Sequence, residues 1–263
     1  MKITLRANTN INIAQEAIRT AWASQDKSDT VEAIEKWLDE GMTTHKPEIG
    51  PNDAALIERV GNKFKHASTL EHVSYTFNVE GVSRALLQEL ARHRIASYTV
   101  KSTRYTLKEL KTEKPFIIQV EAGTVYSDRA KRYLVMTGID IVDVASIKAL
   151  ENLREVLVSG VSNDRAKFCL PESYKTTVFW TINMRSLQNF LKLRSDKGAL
   201  WEIREMAQKV YAELPTQHRY MFDDFMYDEE ALRLRNEEKK TALVVLKENL
   251  SELEYDMVLD LMK

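Results

Sequence analysis

The stretch RHRIASYTVKSTRY, residues 92–105, sets Arg92, His93 and Arg94 side by side and follows them with Ser97, Ser102 and Arg104. One cation at an exposed helix C-terminus gains about 0.3–1 kcal/mol from the helix dipole. Three in a row point about 100° apart around a helix, so no single solvated face holds them all. Guanidinium and hydroxyl donors arriving from a helix end and the loop after it suit the oxygens of a phosphate or pyrophosphate. The spacing therefore favours an anion site over an ordinary charged helix end. A second set lies downstream, where Arg185 and Asn189 are four residues apart and share one helical face. Arg194 falls on the side of Leu187 and Leu191. An unpaired guanidinium is expensive there, so it requires a partner.

The elements around these residues must deliver them. LEHVSYTFNVEG alternates, with Val73, Tyr75, Phe77 and Val79 opposite His72, Ser74, Thr76 and Asn78, as in a strand packed on one side and ended by Gly81. VSRALLQELARHR then changes to helical periodicity through Val82, Leu86 and Leu90, a helix that carries Arg92–Arg94 at its end and leaves by a loop. YKTTVFWTIN alternates again, setting Tyr174, Thr176, Val178, Trp180 and Ile182 against Thr177, Phe179 and Thr181. RSLQNFLKLR and ALWEIREMAQKVYAEL follow as helices, the second stopped by Pro215. Near the start, KITLRAN reads as a short strand, and 12–24 and 29–41 as helices, with Asp29 capping the latter. Residues 144–159 and 162–169 read as helices, while 112–140 have no clear pattern. The expected fold is a single α+β domain over 1–227, with a mixed or antiparallel sheet flanked by helices. A charged amphipathic extension follows over 228–263, with a helical seam of Leu243, Leu246, Leu250, Leu253, Met257 and Leu261.

Composition narrows the chemistry. The 263 residues carry a net charge of -1, so no general attraction to nucleic acid or an anionic membrane is expected, and any anion must be met locally. No RRM, KH or helix-turn-helix signature supports a nucleic-acid module using 92–104 as its basic patch. Eight glycines never form GxG, which excludes the dinucleotide fingerprint and the P-loop. One cysteine, Cys169, and five scattered histidines exclude a disulfide framework and a cysteine-rich zinc site, and no metal is expected. Cys169, in KFCLP, reads as a buried structural thiol rather than a nucleophile. The opening MKITLRANTN lacks the apolar core of a secretion signal, and no apolar run approaches the roughly 20 residues of a membrane span. A cytoplasmic protein is expected.

Arg92-His93-Arg94, seven intervening residues and Ser102 resemble the RHR-x7-S signature of the flavin-dependent thymidylate synthases. The likeness extends through HASTLEHVSYTFNV, STRY and LPESYKTTVFWTINMRSLQNFLKLRSDKGALWE, over residues 60 to 225 or so. The resemblance implies methylation of dUMP to dTMP with methylenetetrahydrofolate as carbon donor. NADPH-reduced FAD would supply the hydride, in homotetramers whose sites lie between subunits. It implies FAD contacts at Ser68, Arg92, His93, Arg94, Val100, Asn183, Met184, Arg185 and Asn189. It implies dUMP contacts at Glu89, Leu90, Ala91, Arg92, Val100, Lys101, Ser102, Thr103, Arg104 and Lys167. Arg194 would be the catalytic residue, favouring the N3-deprotonated uracil ring. Several positions depart from the commonest pattern: Val100 where a glutamate is usual, Gln88-Glu89 for Arg-Gln, Lys167 for an arginine, and Gly198 for a histidine.

Overall fold

The computed structural model describes residues 1–41, 46–120, 123–230 and residue 237. Two compact units result, Met1–Met226 and Tyr227–Lys263. The seam from Leu243 to Leu261 lies outside the described residues.

The first unit begins with strand β1 (Lys2–Asn8), helix α1 (Asn12–Ala21), α2 (Thr30–Asp39) and α3 (Pro51–Ile57). Strand β2 (Ser74–Ser83), α4 (Arg84–Leu90) and β3 (Ala96–Val100) follow. A short α5 (Thr103–Thr106), the hairpin β4 (Ile117–Val120) and β5 (Gly123–Tyr126), α6 (Asp140–Val158) and α7 (Asn163–Ala166) come next. Strand β6 (Lys175–Asn183), α8 (Met184–Arg194) and α9 (Trp201–Glu213) complete it.

The main sheet has the order β1-β2-β6-β3, and every pairing in it is antiparallel. Its register explains the alternation in the sequence. Ile3 lies opposite Val79, Phe77 opposite Trp180, and Tyr98 opposite Trp180 from the other side, so apolar side chains from all four strands line one face. That face is sealed by Leu86, Leu90, Leu187, Phe190, Leu191, Ile203, Met206 and Val210 from the helices. A second core gathers Leu107, Leu110, Phe116, Leu134, Ile147, Leu150, Leu153 and Leu157 around α6. The patternless 112–140 stretch therefore contributes a hairpin and buried side chains to a helical layer inserted between β3 and β6.

Three expectations need correction. Gly81 does not end β2. It sits at φ +71 where the register with β6 slips between Glu80 and Val82, so it makes a bulge and the strand runs on to Ser83. The helix that follows is accordingly shorter, beginning at Arg84 with Ser83 as its cap. Asp29 does not cap α2 with its side chain. Its carboxylate instead accepts from the backbone N–H groups of Asn52 (2.9 Å) and Asp53 (3.1 Å), in the first turn of α3. Cys169 is exposed, because Ala166 takes the buried position and the tight turn Lys167–Cys169 faces its residues outward.

Candidate active site

β2 and β6 are bonded neighbours, and each feeds a helix through a side-chain cap. The Ser83 hydroxyl accepts from Leu86 N–H (3.0 Å) to start α4, and Asn183 Oδ1 accepts from Ser186 N–H (2.8 Å) to start α8. Ser83 is itself held by Glu202 of α9, whose carboxylate accepts from Ser83 N–H at 2.8 Å and from its hydroxyl. Burial pushes the Glu202 pKa up, and the Ser83 bonds oppose that shift.

α4 stops at Leu90, so Arg92, His93 and Arg94 occupy a turn after the helix rather than its last turn. His93 N–H closes back on Leu90 C=O (3.1 Å). The Tyr98 hydroxyl is within bonding distance of Leu90 C=O (3.0 Å) and His93 C=O (2.6 Å). The chain then reverses into β3, where only a loop was expected. Ala96 pairs with Ile182, next to the cap of α8, so sheet register brings the turn and α8 together.

Between them opens a groove of about 670 Å³ lined by Arg92, His93, Arg94 and Ile95 of the turn, and Arg185, Ser186, Asn189, Leu193 and Arg194 of α8, with Glu71 at its edge. Arg185, Asn189 and Leu193 recur every four residues and form the α8 wall. Arg185 pairs with Glu71 at 2.7 Å. The volume falls within the roughly 300–1,000 Å³ of small-molecule sites. The guanidinium groups of Arg92, Arg94, Arg185 and Arg194 outnumber the lone carboxylate of the lining, Glu71. This donor set suits an anionic ligand with planar, acceptor-rich parts, as a flavin dinucleotide is.

Arg194 has the partners that its place beside Leu187 and Leu191 requires, and they come from the chain itself. Its Nη1 donates to Glu89 Oε2 (2.7 Å), its Nη2 to Glu89 C=O (3.1 Å) and its Nε to His93 Nε2 (2.9 Å). Its side chain is 14% exposed. The His93 ring packs edge-on against Phe190, 5.1 Å between centroids. Burial, then the charges of Arg194 and Arg92, lower the His93 pKa to about 4, so the ring is neutral at pH 7.

The groove thus unites Arg92, His93, Arg94, Arg185, Asn189 and Arg194 as expected, and adds Glu71, Ile95, Ser186 and Leu193. Four expected contacts point elsewhere. Asn183 Oδ1 is engaged in the cap, the Met184 and Leu90 side chains are fully buried, and Val100 packs against the core from the apolar face of β3. Ser68 and Ala91 are exposed outside the lining set. Glu89, expected to face substrate, gives its carboxylate to Arg194, with Arg92 3.5 Å away.

The remaining expected cluster is elsewhere on the same chain. Lys101 N–H extends the β3 ladder to Thr177 C=O (2.9 Å), and Ser102 and Arg104 are exposed about the start of α5. Asn163 Nδ2 donates to Arg104 C=O (2.9 Å), tying this loop to α7, and α7 leads directly into Lys167. None of Lys101, Ser102, Thr103, Arg104 and Lys167 lines the groove. Of the added lining residues, Leu193 was legible as the next step after Arg185 and Asn189. Glu71 was not, since its role depends on a contact 114 residues away.

A family model described as thymidylate synthase complementing protein matches residues 4–218. A flavin-dependent thymidylate synthase of Wolinella succinogenes is 56% identical over 222 residues, covering 84% of this chain and 97% of the relative. One of Campylobacter jejuni is 51% identical over 227 residues, covering 86% and 98%. Among solved structures, Thymidylate Synthase X from Helicobacter pylori with FAD and dUMP superposes with a TM-score of 0.74 at 43% identity, covering 87% of this chain and 100% of that one.

Proposed function

Because the chain belongs to the thymidylate synthase complementing protein family, the flavin-dependent thymidylate synthases, we propose how its residues divide the work of making dTMP from dUMP. The observation that carries the reading is the convergence of the Arg92–Arg94 turn and the Arg185–Asn189–Arg194 side of α8 on one cationic groove. Arg92, His93, Arg94, Arg185 and Asn189 hold FAD there. When bound, FAD supplies the hydride chemistry that links NAD(P)H oxidation to completion of the methyl group derived from methylenetetrahydrofolate.

The protein contributes position and charge. A guanidinium has five N–H donors. Glu89 and His93 take three from Arg194 and fix its plane, and two remain for a ligand. A donor pair held this way is organised before substrate arrives, and it stabilises negative charge developing on a pyrimidine ring. Ser102, the Thr103 N–H and Arg104 meet the nucleotide phosphate, with Lys167 as a point charge beside them. Residues 1–227 form the catalytic unit, a division supported by the family match to 4–218, and 228–263 form an added extension. Because the phosphate cluster and the groove are separate sets on one chain, we infer that complete sites combine subunits of a homotetramer. Light scattering that found a fully active monomer would refute this. The proposed substrates are soluble metabolites, and cytoplasmic location belongs to the same reading. Among the described residues no helix is long and apolar enough to cross a membrane.

The test is Arg194→Lys, measured in two halves. A lysine has one nitrogen and cannot reach the Glu89 carboxylate, the Glu89 carbonyl and His93 together. Loss of one well-aimed donor costs about 10²–10³ in turnover. Reoxidation by dUMP and methylenetetrahydrofolate, with dTMP formation, should fall by that factor. Anaerobic bleaching of bound flavin by NADPH should persist. Wild-type dTMP formation in the variant would show that Arg194 is only structural.

A further inference from the structure

Arg194 Nε lies 2.9 Å from His93 Nε2. Arginine is always protonated in proteins, so Nε only donates, and His93 Nε2 must offer a lone pair. The ring is then neutral with its proton on Nδ1. His93 lines the groove, and Nδ1 has no bonding partner among the described residues, nor is it among the buried atoms without one. What His93 shows the groove is therefore an N–H donor. The charged groups around the ring are Glu89 of α4, Arg92 and Arg94 of the turn, and Arg194 of α8.

The arrangement depends on Glu89, which grips the guanidinium from two sides, by its carboxylate and its own peptide carbonyl. Tyr98 and Phe190 fix the backbone and the plane of His93 but leave its tautomer open. We propose that Glu89 is a positioning residue that, through Arg194, locks His93 as an Nδ1–H donor, so that the atom His93 meets in the groove is a hydrogen-bond acceptor of the cofactor. Only the identity of that acceptor rests on the flavin reading above. The lock itself follows from the Glu89–Arg194–His93 geometry.

The test uses full-length protein labelled with 13C,15N-histidine. Solid-state NMR at neutral pH separates the two tautomers and the cation, and His93→Gln serves only to assign the signal among five histidines. Wild type and Glu89→Gln, whose amide oxygen still accepts from Nη1, should show the Nδ1–H form. Glu89→Ala should show a mixture or the Nε2–H form. The Glu89 side chain is 31% exposed, so truncation should leave a folded protein, checked by circular dichroism. In the same proteins, FAD affinity should fall about 3–10-fold in Glu89→Ala, the loss of one neutral hydrogen bond, and recover in Glu89→Gln. A wild-type His93 that is cationic or Nε2-protonated would overturn the proposal, as would a tautomer unchanged in Glu89→Ala. Failure of wild type to bind FAD would instead sink the flavin reading, while the tautomer result still judges the lock.

Discussion

Ser83→Ala should destabilise the protein far more than a serine-to-alanine change on a surface would. The hydroxyl serves two partners: it accepts from Leu86 N–H to cap α4 and donates to the carboxylate of Glu202, which is only 3% exposed. Losing the cap costs about 1 kcal/mol. Taking a donor from a buried carboxylate costs about 1.5–3 kcal/mol, leaving Ser83 N–H as the acid's remaining bond to this residue. The sum is about 3 kcal/mol, or about 6–12 °C in melting temperature for a chain of this size. The pH dependence is diagnostic. Burial already raises the Glu202 pKa, and the lost hydrogen bond raises it further in the folded variant. A folded-state pKa above the unfolded one means that the folded state binds the proton more tightly, so the deficit relative to wild type should shrink as pH falls. Thermal unfolding of both proteins at pH 8 and pH 5, at matched protomer concentration, measures this. A deficit below about 2 °C at both pH values, or one that grows with acid, would refute the reasoning.

Cys169→Ala should retain dTMP synthesis, because Cys169 is exposed and absent from the groove; complete loss in a folded, FAD-loaded variant would mean a thiolate mechanism. Ser102→Ala should raise the KM for dUMP more than it lowers kcat. Among the described residues Ser102 has no histidine base as a bonded partner, and a trapped covalent Ser102 adduct would contradict this role. Acid should weaken the fold through His93, whose folded pKa of about 4 lies below its unfolded value near 6.5. Its neutral-state contribution is intact above pH 6.5 and is lost on descending toward pH 4. Urea unfolding at pH 7 and pH 5 should show a smaller drop in His93→Gln than in wild type.

The fold and the site differ in what was legible. Val73–Val79 and Tyr174–Ile182 announced their strands because one sheet face is buried, and burial on one side imposes a two-residue period on the sequence. Arg185 and Asn189 announced their shared helix face for the corresponding reason at a period near four. The Arg92–Arg94 triplet marked an anion site because adjacent cations are costly unless something outside the chain answers them. The sequence left β3 hidden, since its alternation, ASYTV, lasts only five residues and runs straight on from the basic turn, and only the pairing with β6 marks it as a strand. It hid the hairpin of 117–126 as well, whose described residues are mostly exposed, so that no buried face imposes a period on the sequence. It also misjudged Gly81, where only the paired strand shows that a positive φ makes a bulge instead of an end. Arg194 is the clearest division. Periodicity alone established that its charge is set against an apolar side and requires a partner. That the partner is Glu89, 105 residues away, and that the same guanidinium fixes the proton on His93, was decided by tertiary structure, because hydrogen bonds are directional and depend on where helices end.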